Sequence, residues 1–478
     1  MEKERQERAF SYKAALMLTL AAMSWSLTNQ MNSSMWSYFI TDVALLTTSM
    51  LASILVVAKA LEWAGAIVAG VIMEKVVLRW GKYGSWCLVA APFVAFWFVI
   101  MFLNPSLPPA AKWIWYTVAY ALLMFGAAFI TAVQTTMVVL MGSRSREDRA
   151  LLATKRAQGS QLGQLLFGLI GLPAILFING GVRDRALGYA VVAIICGLIV
   201  ILAYYLLYRN IPEGLDTKYT SKEEREAAAQ RGTSGEKVGV AEMFVTLFKT
   251  PPLLGIIISD SMRILAQFTL LGIGMYIFTY IFKQPKMWAT TLTAMGVFAL
   301  LVTFIVEILI RFFNNRKLYI AGLFIFAIGL VSAYFMTNIT AFIACLAISY
   351  FGAGLCNTNG TAMVGDAAIW AEWKHGKEMK AFMSAMGAMP PKFANLLSGV
   401  IIGYGLRAVG YVAKTEMSPA TLNGIKMLGT ILPAICLVFG AVCFLLLNRL
   451  TGEKIKAINE EVMARRAAKA AAAGEGAK

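Results

Sequence analysis

Histidine is almost absent from this chain, and charged residues are scarce. The 478 residues include one histidine, and only 14 % are Asp, Glu, Lys or Arg, whereas 59 % are hydrophobic. A soluble domain has about 45–50 % apolar and about 25 % charged residues. The composition therefore excludes an ordinary soluble protein and predicts a chain that crosses a membrane several times.

Motifs of enzymes and metal proteins are also missing. The sequence has no HExxH, no phosphate-binding loop and no nucleophile elbow, which are the spaced groups that metalloproteases, nucleotide enzymes and hydrolases use. A membrane enzyme would need a cluster of carboxylates or histidines at one interface. Asp366 with Glu372 is the one candidate, and no histidine stands at a suitable spacing. We therefore expect no enzyme, no bound metal and no cofactor.

Cysteine is sparse, and the lone histidine stands outside the apolar stretches. None of the six cysteines forms a CxxC pair and all lie in apolar stretches, so we interpret them as small buried side chains rather than disulfides or metal ligands. His375 stands in a charged stretch, which favours a solvated loop residue over a proton relay. The cysteines are Cys87, Cys196, Cys345, Cys356, Cys436 and Cys443.

Long apolar runs make up most of what is present. About 20 apolar residues span a bilayer core as a helix, and twelve runs reach that length. They lie at roughly 14–40, 47–73, 85–103, 113–141, 158–179, 187–208, 254–282, 288–310, 318–336, 339–364, 384–405 and 427–448.

One long polar segment divides these runs six plus six. It lies between the sixth and seventh runs and ends at Pro251-Pro252. The predicted organisation is an N-terminal six-helix half at 1–208, a cytoplasmic linker at 209–251, a C-terminal six-helix half at 252–450 and a cytoplasmic tail at 451–478.

The distribution of basic residues predicts the orientation. With the N-terminus in the cytoplasm, 32 of the 43 lysines and arginines fall in cytoplasmic segments and 8 in external loops. Cytoplasmic loops of membrane proteins carry such an excess, so both termini and the linker are expected inside. The net charge of +17 therefore calls for no nucleic-acid partner.

Three basic residues remain, and they lie inside apolar runs: Lys59, Arg263 and Lys392. Ionisable residues within a membrane are costly and mark functional sites. Lys59 stands three residues before Glu62, which places both on one helix face, and this pair either lines a central cavity or is structural. Lys392 follows Pro390-Pro391, a double proline that we expect to break the eleventh helix.

Two further charged pairs have open interpretations. Asp260 and Arg263 are also three residues apart, near the start of the seventh run, and form either a structural pair or a gate between the halves. Glu307 and Arg311 stand at the end of the eighth run and are best explained as an interfacial pair that reaches toward water.

Hydroxyl and amide side chains cluster in the first, fourth and tenth runs. Beside aromatic rings they suit a polyhydroxylated ligand, although hydrogen bonds between helices would explain them without any ligand. They are Ser26, Thr28, Asn29, Asn32, Ser33, Ser34, Thr131, Gln134, Thr135, Thr136, Asn357, Thr358 and Asn359.

Two stretches echo each other across the linker. The first run ends in YFITD, at 38–42, and the seventh in YIFTY, at 276–280. Twin six-helix halves joined by a cytoplasmic linker resemble a major facilitator transporter, in which substrate binds between the halves. We therefore predict an all-α integral membrane protein with twelve transmembrane helices in two six-helix halves of the major facilitator fold.

Four stretches resemble the glycoside–pentoside–hexuronide cation symporters, the melibiose-carrier branch of that fold. YFITD is similar to the YYTD that ends their first helix, and VAKALE at 57–62, with RWGK at 79–82, resembles their VARxxD and the following loop. YIFTY is similar to their YxFTY, and GDAAIWAEWK at 365–374 to their ADxxDYGExK. The order and spacing hold from about residue 15 to 445.

The resemblance implies roles for several residues. Glu62 corresponds to the first carboxylate of the cation site, with Lys59 as the basic residue before it. Arg156 corresponds to an arginine near the substrate, and Lys392 to the lysine that joins the cation and sugar sites. The implied cation-coupling residues are Glu62, Lys59 and Lys392, and the implied substrate-binding residues are Ser26, Asn29, Gln134, Arg156 and Lys392. Gating or structural roles fall to Asp42, Asp260, Arg263, Asp366 and Glu372.

Three carboxylates of the family pattern are missing here. The resemblance aligns Ala66 with an acidic residue of the second helix, and Ala132 or a neighbour with one of the fourth helix. The sugar-binding carboxylate of the first helix falls near Ser26, with Asn29 one turn on. Fewer hard oxygen ligands disfavour sodium, so coupling to a proton through Glu62, or uniport, is more plausible. The cavity also becomes net positive, which favours an anionic sugar such as a uronide or acidic glycoside.

We therefore predict a secondary active transporter of a sugar-like solute that works by alternating access. Its expected partners are the solute, a coupling cation and the lipid bilayer, and it is expected to be a monomer of the inner membrane. The same fold could instead carry a lipid-like amphiphile, or serve as a non-enzymatic sensor. A membrane enzyme is disfavoured by the missing catalytic cluster.

Overall fold

The computed structural model describes residues 12–76, 78–81, 83–142, 146–180, 186–211, 250–375, 389–450, 454–455, 457–462 and 465. A few side chains within the helices of these ranges are not described. In this part of the chain the regular structure is helical, and its one β-bridge joins Leu78 to Gly81.

Seven helices of the described residues precede the linker. α5 continues through a π-helical turn, Phe167–Gly171, into α6. The helices are α1 (Tyr12–Tyr38), α2 (Thr48–Lys75), α3 (Gly84–Met101), α4 (Pro109–Met141), α5 (Arg146–Leu166), α6 (Leu172–Ile178) and α7 (Leu187–Arg209).

Seven more helices of the described residues lie between the linker and the tail. They are α8 (Pro251–Tyr276), α9 (Lys286–Phe312), α10 (Asn315–Phe335), α11 (Ile339–His375), α12 (Pro390–Ala408), α13 (Pro419–Gly429) and α14 (Ile431–Leu447). Two more π turns end α1 and α8, at Phe39–Val43 and Ile277–Ile281.

Each of the twelve predicted apolar runs coincides with a helix. Ten helical segments of the described residues are long and apolar enough to cross a membrane. α1 and α12 are not among them, because α1 is rich in hydroxyl and amide side chains and α12 carries two charges and several glycines. The all-helical membrane class is confirmed, and the number twelve stays a prediction.

Two helices extend beyond the predicted runs into polar sequence. α5 begins at Arg146, so Arg156 lies within a helix. α11 continues to His375, so Asp366 and Glu372 also lie on a helix. His375, expected in a loop, is the last residue of α11, and residues 376–388 after it lie outside the described part of the chain. A helix can continue past the apolar run because its backbone hydrogen bonds are satisfied internally.

The double proline stands at the start of a described helix. Pro390 and Pro391 are the first two residues of α12. Proline is favoured in the first turn because its missing N–H would have no intrahelical partner there. Lys392 is therefore in the first turn of α12. Residues 384–388 of the predicted run lie outside the described residues, so the break at the prolines stays a prediction.

The chain forms two compact units, which are described separately below. The first comprises Met1–Glu236, Leu271–Val297 and Gly399–Leu428, and the second Lys237–Leu270, Phe298–Ser398 and Gly429–Lys478. The division into halves at the linker stays a prediction.

In the first unit, α1 packs along α5 through two glycines four residues apart. A Cβ at Gly159 would overlap the carbonyl oxygen of Thr19, and a Cβ at Gly163 would overlap that of Met23. Small residues at this spacing let helix backbones touch in a membrane. α2 packs on α4, and α3 on both α4 and α7.

In the second unit, α10 packs on α11 and on α14. A core cluster of Val302 and Val306 from α9 with Leu355 from α11 joins α9 to the same group of helices. Tyr319 of α10 and Phe444 of α14 are in ring contact, with centroids 5.0 Å apart.

The α1–α5 contact leads to a first prediction. Gly159→Ala should cost about 1–3 kcal/mol, the usual penalty for overpacking a close contact, and should lower the unfolding temperature of the detergent-purified protein. Gly365→Ala is the matched control, because a Cβ on Gly365 meets nothing within 4 Å. Equal unfolding temperatures for the two variants would contradict the close contact.

Candidate functional site

The charged pair of α2 is present and closely bonded. Nζ of Lys59 lies 3.1 Å from Oε2 of Glu62, one helical turn further on. The Lys59 side chain is 11 % exposed and that of Glu62 is 22 % exposed. The pair is therefore largely buried, with the carboxylate nearer to solvent than the ammonium group.

Residues of α4 and α1 complete the surroundings of the pair. Nζ of Lys59 lies 3.4 Å from Sδ of Met124 and 5.9 Å from the centre of the Tyr120 ring. The Tyr120 hydroxyl in turn accepts a hydrogen bond of 3.4 Å from Asn32. This group, Lys59, Glu62, Tyr120, Met124 and Asn32, is called the α2 charge site below.

Tyr120 and Met124 were not predicted as site residues. They are four residues apart on α4, as are Tyr116 and Tyr120, and all three are buried. That spacing marks one helix face, so the sequence shows that these side chains share a surface. It does not show that this surface meets Lys59.

Arg156 forms a second polar group with α4 and α7. It donates a hydrogen bond of 3.1 Å to the hydroxyl of Thr135. The neighbouring Gln134 is buried, and its side-chain amide donates at 2.7 Å to the Tyr204 hydroxyl. The amide nitrogen of Gln134 is thus engaged within the protein, while Arg156 and Thr135 remain partly accessible.

Ser26 and Asn29 have different environments although they share α1. Ser26 is buried, with its Cβ close to Gly163 at the α1–α5 contact. Asn29 is half-buried. In this conformation Asn29 is therefore better placed than Ser26 to meet a solute, and both assignments stay predictions.

Asp42 stands at the end of α1, where it is buried and accepts hydrogen bonds from hydroxyl groups. Its Oδ2 lies 2.6 Å from the Thr41 hydroxyl and 2.7 Å from the Tyr411 hydroxyl. The Tyr280 hydroxyl donates to its Oδ1. Asp42 thus links the end of α1 to Tyr280, which follows α8, and to Tyr411, which follows α12, all within the first unit.

The second unit holds its own ion pair. Nε of Arg263 lies 2.7 Å from Oδ1 of Asp260 on α8, and Arg263 is buried. Nearby, Tyr319 donates to the Ser259 hydroxyl at 3.2 Å, and Cys356 donates to the Tyr319 carbonyl at 3.4 Å. The pair thus lies among α8, α10 and α11, and both interpretations of it, a structural pair or a gate, stay predictions.

Three other predicted residues lie in the second unit. Lys392 is half-buried in the first turn of α12, and Asp366 is half-buried on α11. The side chain of Glu372 lies outside the described residues, as do those of Glu307 and Arg311. The proposed roles of all of these stay predictions.

A large groove in the second unit contains none of the predicted site residues. It has a volume of about 650 Å³ and lies between the start of α8, the ends of α11 and α14, and the tail. Trp370, Trp373, Arg449, Lys454 and Glu461 are among its lining residues.

The polar groups of these sites form ion pairs within helices and hydrogen bonds between long apolar helices. Among the described residues, no three His, Cys, Asp or Glu side chains come together as a metal site. This arrangement is that of a multi-pass membrane protein with polar groups buried among its helices.

Comparison with known families agrees with that class. The model of the family described as MFS/sugar transport protein matches residues 17–450. The chain belongs to this family of the major facilitator superfamily.

Curated relatives are distant but nearly full-length. A candidate sulfoquinovose importer of Escherichia coli (strain K12) is 25 % identical over 395 residues, which cover 81 % of this chain and 79 % of the relative. The isoprimeverose transporter of Lactiplantibacillus pentosus is 22 % identical over 415 residues, covering 86 % and 83 %. A candidate 2,3-dihydroxypropane-1-sulfonate exporter of E. coli (strain K12) is 25 % identical, with 81 % of each chain covered.

Solved structures share the fold. A bacterial homologue of the human lysosomal transporter Spinster, in an inward-facing unoccupied conformation, aligns with a TM-score of 0.67 and 15 % identity, covering 91 % of this chain and 96 % of that one. A point mutant of the nucleoside transporter NupG aligns with a TM-score of 0.63 and 11 % identity, covering 91 % and 99 %.

The α2 charge site leads to a second prediction. Lys59→Met keeps the length of the side chain but leaves Glu62 without its counter-charge, which should cost about 2 kcal/mol, less than a fully buried pair because Glu62 is partly exposed. The double variant Lys59→Met/Glu62→Gln should regain part of that loss. Thermal unfolding in detergent measures both, and additive losses in the double variant would argue against a coupled pair.

Proposed function

We propose that this protein is a secondary active transporter that moves a sugar-like, anionic solute by alternating access, coupled to a proton. The family and the helical architecture support the transporter class. The observation that carries the finer proposal is the α2 charge site, in which a buried ammonium group and a partly exposed carboxylate lie 3.1 Å apart.

An anionic solute is favoured by the balance of charge. Lys59 and Arg156 are positive and Glu62 is negative, and all three belong to the first unit. Opposite charges attract strongly where water is scarce. Two relatives are named for sulfonated compounds, sulfoquinovose and 2,3-dihydroxypropane-1-sulfonate, so anionic solutes have a precedent among the relatives.

A proton suits this site better than sodium. Sodium needs several oxygen ligands, and the resemblance aligns Ala66, and Ala132 or a neighbour, with further carboxylates of the family. In addition, the Lys59 ammonium group already occupies the position of a counter-ion beside Glu62. A metal cation bound there would face a like charge, whereas a proton needs only the carboxylate oxygen.

The pair suggests how proton and solute would be coupled. Protonation of Glu62 removes its charge and leaves the positive charge of Lys59 without a counter-ion, which favours the entry of an anionic group. Loss of the proton on the other side restores the Lys59–Glu62 pair and displaces the anion. One proton then accompanies one monoanionic solute, and no net charge is moved.

The orientation and assembly state are parts of the same proposal. The excess of basic residues in the predicted cytoplasmic segments supports a cytoplasmic position of both termini and the linker, and we propose a monomer in the inner membrane. One relative is named as an inner membrane symporter of E. coli (strain K12), at 22 % identity.

A third prediction concerns the solute. Proteoliposomes with the purified protein should accumulate a uronide, such as glucuronate, or a sulfonated sugar, and the uptake should rise when the external pH is lowered. A neutral galactoside offered at the same concentration should be taken up at least about tenfold more slowly, the scale expected for one lost charge interaction. Strong uptake of the galactoside without uptake of the acidic sugars would contradict the proposal.

A fourth prediction concerns Glu62. Glu62→Gln should abolish pH-driven accumulation while exchange of labelled for unlabelled solute persists, because a neutral side chain binds no coupling proton but permits the solute-bound transition. Glu460→Gln, an exposed carboxylate of the tail, is the matched control and should accumulate solute normally. Concentrative uptake by Glu62→Gln at the wild-type level would exclude the coupling role.

A further inference from the structure

The ends of α1 and α8 have the same unusual backbone. Each helix passes into a π turn, Phe39–Val43 in one and Ile277–Ile281 in the other. In each, a residue with positive φ follows, Leu45 at 60° and Lys283 at 53°. A shift of 238 residues relates Leu45 to Lys283, and the same shift relates Asp42 to Tyr280.

The backbone hydrogen bonds repeat with the same shift. The amides of Ala44 and Leu46 donate to the carbonyls of Phe39 and Ile40. In the second copy, the amides of Phe282 and Gln284 donate to the carbonyls of Ile277 and Phe278. The YFITD and YIFTY stretches are therefore one structural element used twice.

A π turn followed by a left-handed residue is an unfavourable backbone conformation. π turns are rare and occur mostly at functional sites, and a left-handed backbone is unfavourable for leucine and lysine, which carry a Cβ. Its presence in both copies indicates that it has a role beyond ending a helix.

The two copies face each other in the first unit. The Tyr38 and Tyr276 rings meet edge to face, with centroids 5.6 Å apart. The Thr41 and Tyr276 hydroxyls lie 2.8 Å apart, and the Tyr280 hydroxyl donates to Asp42. The position occupied by a carboxylate in one copy is occupied by a phenol in the other, so that the two copies can bond to each other.

A third segment closes on the same carboxylate. Tyr411, in the loop after α12, donates to Asp42 at 2.7 Å, and its ring packs against both Tyr276 and Tyr280, at 5.2 and 5.7 Å. Asp42 is 1 % exposed. Its oxygens thus bond the end of α1 to the end of α8 and to the loop that follows α12.

We propose that Asp42, Tyr280 and Tyr411 form a latch that holds the solute pathway closed at the external side of the membrane, and that this latch must open once in each transport cycle. The inference rests on the proposed alternating access, which requires the ends of α1, α8 and α12 to separate on that side. Hydrogen bonds to a carboxylate are stronger than those between neutral groups, and they re-form whenever the same three segments come together.

Ser37 provides a position at which opening can be measured. It is 5 % exposed on α1, one residue before Tyr38, and its Oγ, like the Ile402 side chain of α12, lies within 4 Å of where a Cβ on Gly272 of α8 would stand. A thiol placed there by Ser37→Cys is covered while the latch is closed. A membrane-impermeant maleimide added to intact cells would reach it only from outside, and the parent protein without Ser37→Cys gives the background from native cysteines.

Removal of latch groups should expose this thiol. In the Ser37→Cys protein, Asp42→Asn and, separately, Tyr411→Phe should raise the rate of labelling about tenfold, since each loses a charge-assisted hydrogen bond. Tyr319→Phe is the matched control: its buried hydroxyl donates to the Ser259 hydroxyl at 3.2 Å in the second unit, whereas the latch residues belong to the first. It should leave the labelling rate unchanged.

The outcomes separate the latch from the transport proposal. Equal labelling of Tyr411→Phe, Asp42→Asn and the unsubstituted reporter, at equal surface amounts, would overturn the latch, and so would an equal rise in Tyr319→Phe. Tyr411→Phe removes a single oxygen atom, so it tests the idea even if Asp42→Asn fails to reach the membrane. Labelling needs no solute, so a failure to transport acidic sugars would leave this result standing.

Discussion

A charged side chain among these long apolar helices is stabilised by a partner inside the protein, because hydrocarbon offers none. Two ion pairs of the described residues provide this within single helices, Lys59 with Glu62 and Arg263 with Asp260. Asp42 has hydroxyl groups from three segments as its partners. The partnerships that stay within one helix or one helix pair stabilise a fixed arrangement. Hydrogen bonds that join distant segments, as those of Asp42 do, exist only while those segments are in contact.

Hydropathy predicted where the helices lie, but not where they begin and end. A membrane-spanning helix is defined by its length and its apolar content, and the sequence of residues 14–448 gives both. α5 and α11 extend past their apolar runs because a helix needs no apolar side chains once its backbone bonds are formed. The double proline begins α12, a position that the sequence alone did not show, because proline is found both at the start of helices and at breaks within them.

The candidate site was predictable within a helix and much less so between helices. The spacing of Lys59 and Glu62 placed them on one face, and the ion pair agrees. Tyr120 and Met124 reach that pair because of the rotation of α4 about its axis, which depends on all its neighbours. The likeness of YFITD to YIFTY was visible in the sequence, whereas their meeting was not, and nothing around Tyr411 marked it as a partner of Asp42.

The backbone contact of α1 with α5 has a mechanical consequence. At Gly159 and Gly163 no side-chain layer separates the two helices, so neither can move toward the other without backbone overlap. Asp42 lies beyond one end of α1, and Arg156 lies one turn before the first contact on α5. A tilt of α1 toward α5 would therefore displace the α5 backbone directly, and Arg156 with it, without side-chain rearrangement at the contact.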